Sequence, residues 1–199
     1  MKYKFLLFFV ILWILCSLIS AQKTDDSAKL NFYNDLVTTE ISIIYQKKPL
    51  KLKDIKNKVI IVLFFASWSG PCQNQLKDLK TIKKEFQKDD LFIIGLDVEE
   101  DDKNEFYESL GKRKVKTSAI SGSSSNSEEF WKNLKQNKFN YPIGFAKNDL
   151  FGSLLKVSKK DAVPQTVIIY NAEVKVIYVG SGKTTEKVRK TLNEIFGNK

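Results

Sequence analysis

The hydrophobic pattern along the chain predicts buried strands that alternate with amphipathic helices. Residues 59–65 and 91–96 are continuous apolar runs rich in β-branched side chains, which is typical of strands covered on both faces. A shorter run at 141–145 predicts a further strand. After the first run, apolar side chains recur every three or four residues and so define one face of a helix. They are Cys72, Leu76, Leu79, Ile82 and Phe86.

Weaker patterns predict the elements at the two ends of the chain. Residues 22–38 form a polar lead-in with a short helix at 31–36, and the alternation at 40–45 followed by a turn predicts an edge hairpin that runs to Leu52. Residues 166–170 and 174–179 are strands joined by three residues, so they pair antiparallel. A C-terminal helix is predicted by the apolar face that comprises Val188, Leu192, Ile195 and Phe196.

The middle of the chain contains an additional segment at 99–126. Its sequence predicts a helix to Leu110 and then a Gly/Ser loop. Asn126 with Glu129 three residues later predicts a helix cap that opens a helix through Leu134. A strand at 141–145 and a helix at 148–157 follow.

The order of these elements, β-α-β-α-β-α-β-β-α, predicts the fold class. Buried strands with helices for both faces give an α/β protein, a three-layer α/β/α sandwich. Its central sheet is mixed, because the last two strands form a hairpin whereas the first ones are joined through helices. We find no internal repeat and no long linker, so residues 39–199 are expected to form one domain.

The N-terminus has the order of a secretory signal peptide. Lys2 and Lys4 precede an apolar run at 5–19, and the small residues Ser20 and Ala21 precede a polar stretch. We therefore expect residues 1–21 to be removed and the protein to be exported to the periplasm or another extracytoplasmic compartment. The alternative is an uncleaved membrane anchor at 5–21, and only then would a membrane be a partner.

The composition excludes several classes of site. The chain has no histidine, which removes Ser-His-Asp and Cys-His catalysis and every metal site that needs a histidine, and we expect no metal and no cofactor. Cys16 and Cys72 are the only cysteines, and Cys16 lies in the export segment. The net charge is +10, but only two of the 33 cationic residues are arginine. We read this excess as a soluble lysine-rich surface and expect no nucleic-acid partner.

The candidate chemistry lies where the first buried strand meets the next helix, at residues 68–72. The N-terminus of a helix carries unpaired N–H groups and a partial positive charge, which stabilise a thiolate in its first turn. Cys72 is therefore either an activated thiol or a small buried hydrophobic residue. Ser69 has an equally simple structural interpretation as the helix N-cap. Pro71 fits the first turn, where its missing N–H has no partner to lose.

This stretch resembles the W-C-G-P-C segment of thioredoxin-fold proteins. Residues 162–166, Ala-Val-Pro-Gln-Thr, resemble the cis-proline loop that faces that segment in the family. Together with the export signal and the additional segment, residues 40–197 resemble the TlpA/ResA group of thiol–disulfide oxidoreductases, or redoxins. The resemblance implies a cis Val163–Pro164 bond close to the turn. It also implies a substrate groove, which consists of Trp68, Gly70, Pro71, Val163 and Pro164.

One position departs from that resemblance. Ser69 stands where the family has its nucleophilic cysteine, and Cys72 corresponds to the shielded resolving cysteine. A serine forms no disulfide, so a dithiol cycle within the chain is excluded. The resemblance implies a protein that acts at most through the single thiol of Cys72 on protein thiols or disulfides. The first alternative is a non-catalytic module that binds extended peptides or cysteine-containing partners.

The second alternative is a thiol peroxidase, because peroxiredoxins resemble this pattern, with a hydroxyl residue three positions before their cysteine. They also have a proline where this chain has Phe65, and they need a supporting arginine that the sequence does not place. It is the weakest of the three.

Overall fold

The computed structural model describes residues 26–44, 46, 48–87, 89–99, 130, 131, 134, 139–146 and 148–197. The predicted signal segment 1–21 and all but the first residue of the segment 99–126 lie outside these residues. The strands are β1 (Ser42–Ile43), β2 (Val59–Phe65), β3 (Leu91–Asp97), β4 (Ile143–Phe145), β5 (Gln165–Tyr170) and β6 (Glu173–Val179). The helices whose bounds the structure describes are α1 (26–38), α2 (Gly70–Glu85), α3 (Asn148–Ser158) and α4 (Lys183–Phe196), with a 3₁₀ turn at Leu52–Asp54.

The six strands form one mixed sheet in the order β1-β4-β3-β2-β5-β6. The three central strands β4, β3 and β2 run parallel, whereas β5 is antiparallel to β2, β6 to β5 and β1 to β4. The predicted mixed sheet is therefore confirmed. Because β5 is antiparallel to β2, its first residues lie at the same edge of the sheet as the last residues of β2.

Two hydrophobic cores cover the two faces of the sheet. The alternation of β2 sends Ile61, Leu63 and Phe65 to one core, which also contains residues of α2 and α4. It sends Ile60, Val62 and Phe64 to the other, which contains residues of α1 and α3. The predicted three layers are confirmed, and α2 presents the predicted apolar face to its core through Cys72, Leu76, Leu79 and Ile82.

The lead-in before the sheet is more regular than we predicted. Helix α1 covers residues 26–38 rather than 31–36, and it buries Phe32, Leu36 and Val37 against the sheet. Its polar residues misled the prediction, because three well-spaced apolar side chains are enough to hold a helix that packs on a larger core.

The predicted edge hairpin is present in a short form. The backbones of Ile41 and Leu50 exchange two hydrogen bonds of 2.8 and 2.9 Å. The chain then enters the 3₁₀ turn instead of a strand, and β1 pairs with β4.

The predicted helix through Leu134 is confirmed where the structure describes it. Phe130, Trp131 and Leu134 are helical and buried, and the Phe130 ring packs on Phe65 with a centroid distance of 5.9 Å. The proposed cap at Asn126 lies outside the described residues. None of the helices in the described part of the chain has the length and apolar character needed to cross a membrane.

Candidate thiol site

The β2–α2 turn places the predicted site at one edge of the sheet. Strand β2 ends at Phe65 and α2 begins at Gly70, with Ser69 at the N-cap position. The turn is held by a hydrogen bond from the Ser69 N–H to the Ala66 oxygen (3.1 Å) and by one from the Gln73 side-chain amide to the Ser67 oxygen (2.8 Å). Gly70 and Pro71 are exposed at the tip, as the first two residues of the helix.

Two side chains of the turn have opposite exposures. Trp68 is 48% exposed, which is unusual for an indole, whereas Ser69 is 7% exposed. The Ser69 side chain makes no capping hydrogen bond to the helix. The N-cap prediction is therefore right about the position of Ser69 and wrong about the bond that its hydroxyl makes.

Cys72 is the third residue of α2, and its side chain is fully buried. Burial raises the pKa of the Cys72 thiol above its ordinary value, and hydrogen bonds from the Ser69 side chain and the Ala66 backbone only partly offset this. The nearby Asp97 carboxylate raises the pKa further. The thiol is therefore protonated at neutral pH. The burial of this side chain favours the interpretation of Cys72 as a small buried hydrophobic residue over that of a thiol activated by the helix N-terminus.

The proline loop lies at the same edge of the sheet. The Val163–Pro164 peptide bond is cis, as the resemblance implied. Gln165 pairs with Phe64 across β5 and β2, so Pro164 is next to the end of β2, where the turn begins. The Gly180 N–H donates a 2.8 Å hydrogen bond to the Pro164 oxygen, which ties the loop to the end of β6. Pro164 is buried, and Val163 is half-buried against the core that contains Cys72.

The sequence analysis missed one residue of this site. Asp97 is the last residue of β3, is fully buried, and pairs with Phe65 in the parallel register. Its Oδ1 accepts a 2.8 Å hydrogen bond from the Glu99 N–H. The predicted strand ended at Leu96, one residue earlier. A carboxylate that directly follows an apolar strand, at the edge where the motif also lies, was the signal that could have found it.

The described arginine does not belong to this site. Arg189 on α4 makes a bidentate pair with Glu85, with N–O distances of 2.7 and 2.9 Å. Glu85 ends α2, thirteen residues after Cys72, which at 1.5 Å per residue is about 20 Å along the helix. Arg189 is thus unsuited to the supporting role that a thiol peroxidase needs. Arg113 lies outside the described residues.

The parallel βαβ core, the antiparallel β5–β6 pair and the cis-proline loop beside the first turn of α2 define a thioredoxin-fold protein. The AhpC/TSA family model matches residues 38–179, so the chain belongs to the AhpC/TSA family. No curated protein matches the chain significantly.

Solved structures agree on the fold. The exposed lipoprotein thioredoxin Etrx1 of Streptococcus pneumoniae is 20% identical with a TM-score of 0.53, over 78% of this chain and 98% of that one. The thioredoxin domain of the thiol-disulfide oxidoreductase BVU-2223 of Bacteroides vulgatus is 15% identical with a TM-score of 0.52, and the match covers 79% of this chain and 96% of that one. A DsbF homologue of Corynebacterium diphtheriae is 16% identical with a TM-score of 0.52, and the match covers 78% of this chain and 86% of that one. The chain thus shares the thioredoxin-like fold of these three proteins.

Proposed function

We propose that the protein is an exported thioredoxin-like protein of the TlpA/ResA type with a degenerate site, acting at most through the single thiol of Cys72. The observation that carries the proposal is the residue that stands three positions before this thiol. At the start of α2, the N-cap residue is Ser69, where a dithiol protein would have a second sulfur, and Cys72 is the third residue of the helix. A mixed disulfide formed by Cys72 has no second thiol in this turn to resolve it, so release depends on a thiol from outside.

The burial of Cys72 also argues for low reactivity. A thiol that is fully buried and protonated at neutral pH presents little thiolate to a partner disulfide. The partners that fit are protein thiols or disulfides that can reach the turn, with no nucleic acid involved. Export by residues 1–21, or anchoring by 5–21, belongs to the proposal, as does one domain at 39–199.

The test restores the missing sulfur. We compare the wild-type protein with Ser69→Cys in the reduction of insulin disulfides, with dithiothreitol supplied. Wild type is expected at the background rate, and Ser69→Cys above it, because the tryptophan, proline and cis-proline surroundings are already in place. Ser69→Ala is the matched control, since it changes the same position without adding a thiol. A wild-type rate equal to that of Ser69→Cys would overturn the proposal.

The second candidate, a non-catalytic binding module, is favoured by the exposure of Trp68. Its indole is 48% exposed and precedes the N-cap of α2 by one residue, at the edge where the cis-proline loop also lies. A reduced and alkylated unfolded protein offers extended peptide without thiols and is the probe. If the protein is a binding module, the wild-type and Cys72→Ala proteins are expected to bind this probe with equal affinity, and Trp68→Ala is expected to bind it more weakly. No binding by wild type would remove this candidate.

A further inference from the structure

The buried side chain of Gln165 lies next to the loop that contains Pro164. Gln165 is the first residue of β5, directly after Pro164, and its side chain is fully buried. Because side chains alternate along a strand, it lies on the same face as Val167 and Ile169, which belong to the core that α3 covers. The loop at 159–164 leads from the end of α3 to β5, so Gln165 lies on the face of the sheet from which this loop arrives.

Both hydrogens of the Gln165 amide are used within this loop. The Nε2 atom donates a 2.8 Å hydrogen bond to the Lys160 oxygen and a 2.9 Å hydrogen bond to the Ala162 oxygen. These two carbonyls fix the orientation of the amide, because a flipped amide would turn its own oxygen towards them. No other hydrogen bond between described residues reaches residues 161–163. One side chain therefore closes the loop on itself.

The third polar site of the same amide carries a cost. The Oε1 atom of Gln165 is buried and has no hydrogen-bond partner among the described residues. A buried acceptor without a partner costs at least as much free energy as one ordinary hydrogen bond contributes, so it offsets much of the gain from the two bonds. The net contribution of the amide to the stability of the fold is therefore small, and its specific effect is the position of the loop.

We propose that Gln165 is a positioning residue of the predicted substrate groove. Its amide holds the backbone on the α3 side of Val163 and Pro164, and the Gly180 N–H holds the Pro164 oxygen on the other side. The two contacts together fix these groove residues beside the β2–α2 turn. That the groove receives a partner protein rests on the function proposed above, whereas the anchoring of the loop does not.

The test removes the amide and follows the Gly180 N–H. In Gln165→Met, the oxygens of residues 160 and 162 would face an apolar side chain, so they are expected to turn to water, which the exposure of both residues permits. This movement is expected to weaken the hydrogen bond from the Gly180 N–H to the Pro164 oxygen. Amide hydrogen exchange, measured by NMR, is expected to become about tenfold faster at Gly180 relative to Val62 in the centre of β2. A general loss of stability would accelerate the exchange of both amides.

Gln75→Met is the matched control. Gln75 is also fully buried, and its Nε2 atom also has no hydrogen-bond partner among the described residues, but it lies on α2 and faces Thr185 of α4. This variant is expected to leave the exchange ratio of Gly180 to Val62 unchanged. Gln165→Leu removes the same two donors and decides the question if the methionine variant does not fold. An unchanged ratio in the folded Gln165 variant would overturn the proposal.

A second measurement asks whether the position of the loop matters for the site. In the Ser69→Cys background, Gln165→Met is expected to raise the KM for insulin by about threefold or more and to change kcat less, because the loop would contact the partner rather than supply the attacking sulfur. Gln75→Met in the same background is expected to leave both constants unchanged. An unchanged KM in the Gln165 variant would overturn its role in the groove. If Ser69→Cys itself is inactive, the function proposed above fails, and the exchange at Gly180 still decides whether Gln165 holds the loop.

Discussion

Ser69 stands at the N-cap position of α2, three residues before the buried thiol of Cys72, and its hydroxyl makes no capping hydrogen bond to the helix. The helix N–H groups are therefore left without a side-chain cap, and the Ser69 hydroxyl instead affects the ionisation of Cys72. Because a hydrogen bond to the thiolate stabilises it, the serine lowers the pKa of Cys72 against the larger effect of burial.

Ser69→Ala is accordingly expected to raise the midpoint of Cys72 ionisation further. Its cost in the free energy of unfolding is expected to lie below the typical ~1 kcal/mol for loss of an N-cap, because no cap bond is lost. The midpoint is measured by following the carbon-13 NMR signal of the labelled Cys72 Cβ against pH, and the free energy of unfolding is measured by urea denaturation. A full capping loss with an unchanged midpoint would show that the hydroxyl caps the helix after all.

Gly144 is expected to tolerate no side chain. A Cβ there would lie 2.6 Å from the backbone oxygen of Ser42, and relief would require β1 to leave β4. Gly144→Ala is therefore expected to cost about 1–3 kcal/mol. Gly152, inside α3, has no atom within 4 Å of such a Cβ, so Gly152→Ala is expected to stabilise by about 0.5–1 kcal/mol. Urea unfolding of the two variants gives both signs, and equal stability would contradict the close approach of β1.

Tyr141 is expected to make the fold sensitive to alkali. Burial raises the pKa of its phenol well above the ordinary value of 10.0. A pKa that is higher in the folded state than in the unfolded state contributes stability to the fold. This stability is fully present at pH values below the unfolded-state pKa and is lost as the pH rises through the folded-state pKa. Tyr141→Phe is thus expected to lower the free energy of unfolding by about 0.5–1.5 kcal/mol at pH 7. Above pH 10, the stability of this variant is expected to decline less steeply than that of wild type.

The measurement is chemical denaturation between pH 7 and 11. Tyr170→Phe, at the half-buried end of β5, is the control for removal of a phenol as such. Parallel alkaline declines in wild type and Tyr141→Phe would contradict the buried hydrogen bond to the Leu76 oxygen.

Export is expected to remove residues 1–21. The exported protein should begin at Gln22, as measured by intact mass, and Ala21→Leu should block cleavage because the processing site needs a small residue there. Ser27→Leu is the matched control outside the cleavage site. A wild-type chain that starts at Met1 and sediments with membranes would instead identify the segment as an anchor.

The sequence alone predicted the sheet, the layers and the location of the turn because these depend on local periodicity. Continuous apolar runs predict β2 and β3, and helical spacing predicts the buried face of α2, whatever lies elsewhere in the chain. The resemblance of the Ala-Val-Pro-Gln-Thr stretch to a cis-proline loop implied the cis bond at Val163–Pro164, which the structure has. Even where details differed, as in the length of α1, the class of fold did not depend on them.

Only the tertiary structure decided the state of Cys72. Whether a thiol in a first helical turn is a thiolate depends on the balance between the helix field and desolvation, and desolvation is set by side chains far away in sequence. Phe65, Phe130 and Phe145 come from separate elements and enclose this core together. Asp97 lies at the end of β3, and its place beside Phe65 is set by a pairing register that no local pattern encodes. Burial and charge act through space, and the fold alone sets those distances.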